Sequence, residues 1–159
     1  MVRPVVLDNT VLVNFALAKR PDLALQTWPE AICTTPEVKE EYRQGVSSGV
    51  LPESAWSKLP VVELTAEEAG LAERLSAQLG AGERSCLAVA LHREGLFASD
   101  DADARGEARG RDIPVTGTIG ILARAVRKHF VSLKEANALL TRMIDAGYHA
   151  PVRRLDDLL

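Results

Sequence analysis

Apolar positions along the chain follow two periods. Short runs of adjoining apolar residues read as buried strands over 4–7, 31–34, 61–64, 96–99 and 113–115. Between them, apolar residues recur every three or four positions. These stretches read as helices over 10–19, 35–45, 51–58, 65–79, 83–92, 101–109 and 119–128, with a last helix opening at Ser132. The punctuation agrees. Thr35-Pro36-Glu37 supplies a cap, a proline at the first helical position and a first-turn acid. Thr65 with Glu68, and Ser132 with Glu135, have the spacing of capping boxes. Pro21, Gly45 and Gly147 are read as stops. Pro114 marks the last strand as an edge strand. In the last helix Leu133, Ala136, Leu139, Leu140, Met143 and Ile144 form one stripe, suited to the core or to a homodimer contact.

Strands alternating with helices predict an α/β fold. The expected form is a three-layer α/β/α sandwich around a central, mostly parallel sheet of about five strands. At 159 residues the chain is expected to form a single domain over 1–159. In such sheets chemistry gathers just beyond the carboxyl ends of the strands, so the residues that follow each strand are the ones to read.

Composition narrows the classes. Hydrophobic residues make up 47% and charged residues 26%, which excludes a disordered or collagen-like chain. A net charge of −3 excludes nucleic-acid binding by bulk charge, so any such contact needs a local basic patch. Between 105 and 128 six cations stand against two acids, among them Arg105, Arg109 and Arg111 close behind the fourth strand. Cys33 and Cys86 lie in apolar surroundings and read as buried thiols of a reducing compartment. No stretch has the pattern of a signal peptide or a membrane span, and the expected location is the cytoplasm.

Acids dominate the strand ends. Asp8 follows the first strand, Glu37, Glu40 and Glu41 lie on the helix after the second, and Asp100, Asp101 and Asp103 follow the fourth. Glu83 opens the helix that leads into that fourth strand. None of His92, His129 and His149 follows a strand, and no nucleophile–histidine pattern or phosphate-loop fingerprint competes. Carboxylates from separate segments meeting at one sheet edge repel unless a cation sits between them. Oxygen donors without His or Cys suit magnesium or manganese, and hence metal-assisted phosphoryl chemistry.

The ordered segments resemble the PIN-domain family of VapC-like ribonucleases. Val6-Leu7-Asp8-Asn9-Thr10 is similar to the family's opening strand and acid, and Glu41-Tyr42-Arg43-Gln44-Gly45 to its second acid. Gly82-Glu83-Arg84-Ser85 resembles the third-acid segment, and Phe97-Ala98-Ser99-Asp100-Asp101 the strand-then-acid motif. Pro114-Val115-Thr116-Gly117-Thr118-Ile119-Gly120 is similar to a late segment of one subfamily. The resemblance implies that Asp8, Glu41, Glu83 and Asp101 hold one or two magnesium or manganese ions, with Asp103 as an outer or second-metal acid. Thr10 and Asp100 would support the site, and Arg105, Arg109 and Arg111 would meet the RNA. Spacing favours Glu41 as the second acid over Glu40 and Glu37. The implied activity is metal-dependent endoribonuclease action, as the toxin of a toxin–antitoxin pair where an antitoxin is encoded beside it. Two rivals stand against it. In a non-catalytic binding or regulatory module the acids would only cap helices. A haloacid-dehalogenase-like phosphatase needs a second Asp where this chain has Thr10.

Overall fold

The computed structural model describes residues 3–159. Four strands form one sheet: β1 (Val5–Leu7), β2 (Ile32–Cys33), β3 (Leu96–Ala98) and β4 (Val115–Thr116). All neighbours pair in parallel, in the order β2-β1-β3-β4. Eight helices surround it: α1 (Asn9–Leu17), α2 (Pro21–Thr27), α3 (Pro36–Ser47), α4 (Ala66–Arg74), α5 (Ala81–His92), α6 (Ala102–Gly110), α7 (Thr118–Arg127) and α8 (Leu133–Asp145). A short 3-10 turn, Asp156–Leu158, follows. Helix α5 packs on β1 and β3 with α3 and α4 beside it, while α1, α2, α7 and α8 pack on one another. Parallel neighbours need crossover connections, and the helices that supply them flank the sheet. The expected α/β/α sandwich is therefore what the chain forms. Among the described residues no helix is long and apolar enough to cross a membrane.

The central strands are apolar throughout because both sheet faces are covered. Val5, Val6, Leu7, Phe97 and Ala98 are all buried. Leu7 pairs with Ala98, and the ladder runs one step further, with the Asp8 N–H donating to Ala98 O at 3.0 Å. The chain leaves β1 toward β2 on one side and leaves β3 toward β4 on the other. The carboxyl ends of β1 and β3 are thus the switch point of the sheet, where clefts form.

The strand count is four, not five. Val61 makes a single parallel bridge to Thr34 and the segment then leaves the sheet. Its partner strand β2 is two residues long, and only the Thr34 N–H to Pro60 O and Val62 N–H to Thr34 O bonds extend it. Residues 51–58, expected to be helical, form successive turns. Tyr42 hydroxyl donates to Pro52 O at 2.8 Å and the Trp56 indole donates to Leu12 O at 3.1 Å, and these bonds pin the segment to α3 and α1. Pro21 does not merely end α1. It opens α2 from the first helical position, which its missing N–H suits. Thr65 and Glu68 close their capping box, but α4 ends at Arg74, short of residue 79. At α8 the Ser132 hydroxyl accepts the Glu135 N–H at 3.1 Å and donates back to the Glu135 carboxylate, which leaves half a box. The last strand falls at the sheet edge, as Pro114 predicts, but begins two residues later than expected and ends one later. Both cysteines are buried and free.

Candidate functional site

Asp8 sits at the carboxyl end of β1 and caps α1. Its Oδ1 accepts the N–H groups of Thr10 at 3.0 Å and Val11 at 3.4 Å, and the Thr10 hydroxyl at 2.5 Å. Its Oδ2 accepts the Ser99 hydroxyl, and Ser99 Oγ in turn accepts the Asp101 N–H at 3.1 Å. One hydroxyl thus ties the acid after β1 to the acid after β3. Asp8 is 1% exposed, and burial pushes its carboxyl up to about 7, against the opposing pull of the Ser99 and Thr10 hydroxyls. No cation answers it among its hydrogen-bond partners.

Asp101 caps α6, with Oδ2 accepting the Ala104 N–H at 2.9 Å. Across from it stands Glu83 in the first turn of α5. Burial raises Glu83 to about 7, and the charges of Asp101, Glu41 and Asp103 add to the rise. Three acids from two further helices thus lie within electrostatic reach of Glu83. Glu41 reaches it because Gly82 has no side chain: a Cβ there would stand 2.9 Å from Glu41 Oε1 and 3.2 Å from Val38 Cγ2. The other two candidates on α3 line the same surface recess beside Ala81 and Gly82. Glu40 is exposed and pairs with Arg43 at 3.1 Å, while Glu37 keeps a buried Oε2 without a hydrogen-bond partner.

Asp100, one residue from Asp101, does different work. Its Oδ1 accepts the Thr118 N–H at 2.8 Å and the Tyr148 hydroxyl at 3.4 Å. Its Oδ2 accepts Asn14 Nδ2 at 3.0 Å and the Thr118 hydroxyl. It binds α1, α7 and the chain beyond α8 together, and its own N–H donates to Thr10 Oγ1 at 2.9 Å. Ser99, Asn14 and Thr118 are the supporting residues that sequence reasoning passed over. Ser99 carried a signal, as the first polar residue after an apolar strand. The other two only acquire a role once the helices are placed.

The three arginines differ. Arg105 Nη1 donates to the carbonyls of Ser99 and Thr116, each at 2.8 Å, and so clamps the ends of β3 and β4. Arg109 is exposed on the next turn. Arg111 pairs with Glu107 at 3.0 Å, which offsets its charge. The histidines lie outside the acid group. His92 bonds Glu68 and Glu67, and His129 ends α7 in the left-handed region with φ 61°.

The donor set, carboxylate oxygens alone, fits a hard divalent cation. Among the described residues no three Asp, Glu, His or Cys side chains converge as a ready cage. The donors still fit the group in their chemistry, with Asp8 and Asp101 joined through Ser99 and with Asp101 and Glu41 bearing on Glu83.

The profile of the PIN-domain family matches residues 4–159, and the chain belongs to that family. No curated relative matches the chain. PIN domains carry a nuclease-type fold, act in general as hydrolases of nucleic acid and typically use divalent metal ions.

Proposed function

We propose that this chain is a metal-dependent endoribonuclease, with Asp8, Glu41, Glu83 and Asp101 holding magnesium or manganese and Asp103 at the margin of the same space. The observation that carries the reading is Glu83, a half-buried acid raised to about 7 with three further acids bearing on it and no cation among them. A divalent ion bound there supplies water activation and charge neutralisation at the scissile phosphate. The chain's own residues prepare the place. Ser99 and Thr10 hold Asp8 in one rotamer, and the α6 cap holds Asp101. Glu83, raised by burial and by its acid neighbours, would give up its proton to become a carboxylate donor when the ion arrives.

RNA as substrate follows from the likeness of the ordered motifs to VapC-like ribonucleases. On the same likeness the chain acts in the cytoplasm as the toxin of a toxin–antitoxin pair, a single PIN unit over 1–159. A cognate antitoxin is its protein partner; the α8 stripe lies in the core, with Ala136, Leu139, Leu140 and Met143 buried, and so gives no support to a homodimer. The alternative of a non-catalytic module draws on Asp8 and Asp101 both capping helices. The deciding experiment is cleavage of single-stranded RNA with magnesium or manganese and with chelator. Metal-dependent cutting that chelator stops is the expected result. Metal-bound protein that never cuts would favour the module, and cutting that chelator leaves intact would remove the metal site.

A further inference from the structure

A cavity of about 670 Å³ opens beside the acids, at the β4 edge of the sheet. Asp100 and Gly117 form its inner wall, and the chain beyond α8, from Tyr148 to Val152, forms the outer one. That outer wall is anchored. Leu155 is fully buried, and its N–H donates to Asn137 Oδ1 at 2.8 Å. Asn137 Nδ2 donates to Asp156 at 3.0 Å, and Arg127 Nη2 donates to Leu158 O at 2.7 Å. Glycine at 117 lets the backbone close up on Asp100 and Arg105, which fixes both at the wall of the cavity. A Cβ there would stand 2.5 Å from Asp100 Oδ1 and 3.1 Å from Arg105 Nη1.

Two guanidinium groups line this space. Arg105 is held by Nη1 alone, and among the described residues its Nε and Nη2 make no hydrogen bond. A pinned arginine with a free edge is organised in advance for a phosphate. Arg109 lies one turn further along the same helix face, and no ion pair among the described residues uses it. Against these cations stand the ring of Tyr148 and the apolar side chains of Ile119 and Val152.

We propose that this cavity receives one unstacked nucleotide of a single-stranded RNA, next to the scissile phosphate on the β4 side. The inference rests on the nuclease reading and adds a subsite to it. Arg105 and Arg109 take the phosphate, and the base lies against Tyr148. The volume falls within the roughly 300–1,000 Å³ of small-ligand sites. A duplex keeps its bases stacked and cannot place one in a recess, so the geometry selects single strands.

The test is binding of a short fluorescent RNA in chelator, where no cleavage intervenes, compared with the same RNA made abasic at each position in turn. Arg109→Ala is exposed and keeps the fold. It should weaken binding about tenfold and lower the salt slope by about one. Val152→Trp fills the cavity. One abasic position beside the cut should cost the wild type about tenfold and cost Val152→Trp nothing. A flat abasic series, or equal losses in both proteins, overturns the subsite. Where magnesium-dependent cutting persists and both variants bind as the wild type does, only the subsite fails. A wild type that neither binds nor cuts RNA overturns the nuclease reading and the subsite together.

Discussion

Helix α5 has acid clusters of opposite character at its two ends. In its first turn Glu83 faces Asp101, Glu41 and Asp103 and is raised to about 7. Beyond its last turn lies Glu68 of α4, fully buried yet held down to about 2. Arg93 is the main cause, gripping both carboxylate oxygens at 2.8 Å. His92 at 2.8 Å and the Thr65 N–H at 2.9 Å complete the shell. The two ends are about 14 Å apart along the helix. Burial alone therefore does not decide what a carboxylate is for. An acid with its cation built into the chain fastens α4 to α5. An acid that meets only hydroxyls and other acids is unbalanced until something positive arrives.

The largest effect that can break this contrast is on cleavage. Asp101→Ala should lower cutting by more than about 100-fold, since even residues that merely orient a metal ligand cost 10–100-fold. Its stability should respond to metal in a way a cap alone does not. Losing the α6 cap costs about 1 kcal/mol, and relief of repulsion with Glu83 offsets it in chelator. With magnesium at about 100 times its dissociation constant, the wild type alone gains about 2.7 kcal/mol. Denaturation curves equally shifted in both conditions would make Asp101 only a cap.

At the other end of α5, Arg93→Ala strands a buried carboxylate. It should destabilise by about 3 kcal/mol, identically with magnesium and with chelator. A metal-dependent loss would mean that the two ends are not independent.

The pH dependence sharpens the same contrast, because the signs oppose. Glu68 is ionised more readily in the folded chain. Its contribution, of order 3 kcal/mol, is complete above the ordinary carboxylate range and lost as pH falls from about 4.5 toward about 2. Asp8 and Glu83 bind protons more readily in the folded chain. In chelator their contribution is lost as pH rises from about 4 through about 7. Chemical denaturation of wild type and Glu68→Gln across that range reads both slopes. Magnesium should flatten the upper slope, since the ion displaces the protons.

The smallest effect is the most selective. Gly82→Ala adds a methyl 2.9 Å from the tip of Glu41, a flexible side chain that can swing away, and 3.2 Å from the buried Val38, which has to give by a few tenths of an ångström. Stability should change by less than about 1 kcal/mol, since alanine is the better helix former. Cutting should fall about tenfold, as Glu41 is turned from the space it shares with Glu83. Unchanged cutting would move the second acid to another residue of α3.

Local features were legible in the sequence and distant ones were not. Asp8 could be found because it directly follows an apolar strand and Asp101 because it lies three residues beyond one, and strand ends in a parallel sheet share one edge. The Thr65–Glu68 box was legible because its partners are three residues apart. Arg93 and His92, 25 and 24 residues further on, only meet Glu68 once α4 packs on α5. The same holds for Arg105, whose role as a backbone clamp depends on where β4 falls. Residues 61–64 carry a strand's composition, but a two-residue neighbour offers too little to pair with.

The pairing of Leu7 with Ala98 also determines where this chain can tolerate a change of length. A residue inserted between Leu7 and Asp8 would rotate the carboxylate by about 100° around α1 and part it from Ser99. An insertion within β3 would turn its alternate side chains to the opposite face. The exposed residues 48–50, ahead of the buried Leu51 and Trp56, touch neither strand end, and a flexible turn there could double in length at a cost of about 0.6 kcal/mol. Growth, grafting and the attachment of reporters belong in that stretch, and the few residues on either side of the Asp8–Ser99 bond have to keep their count.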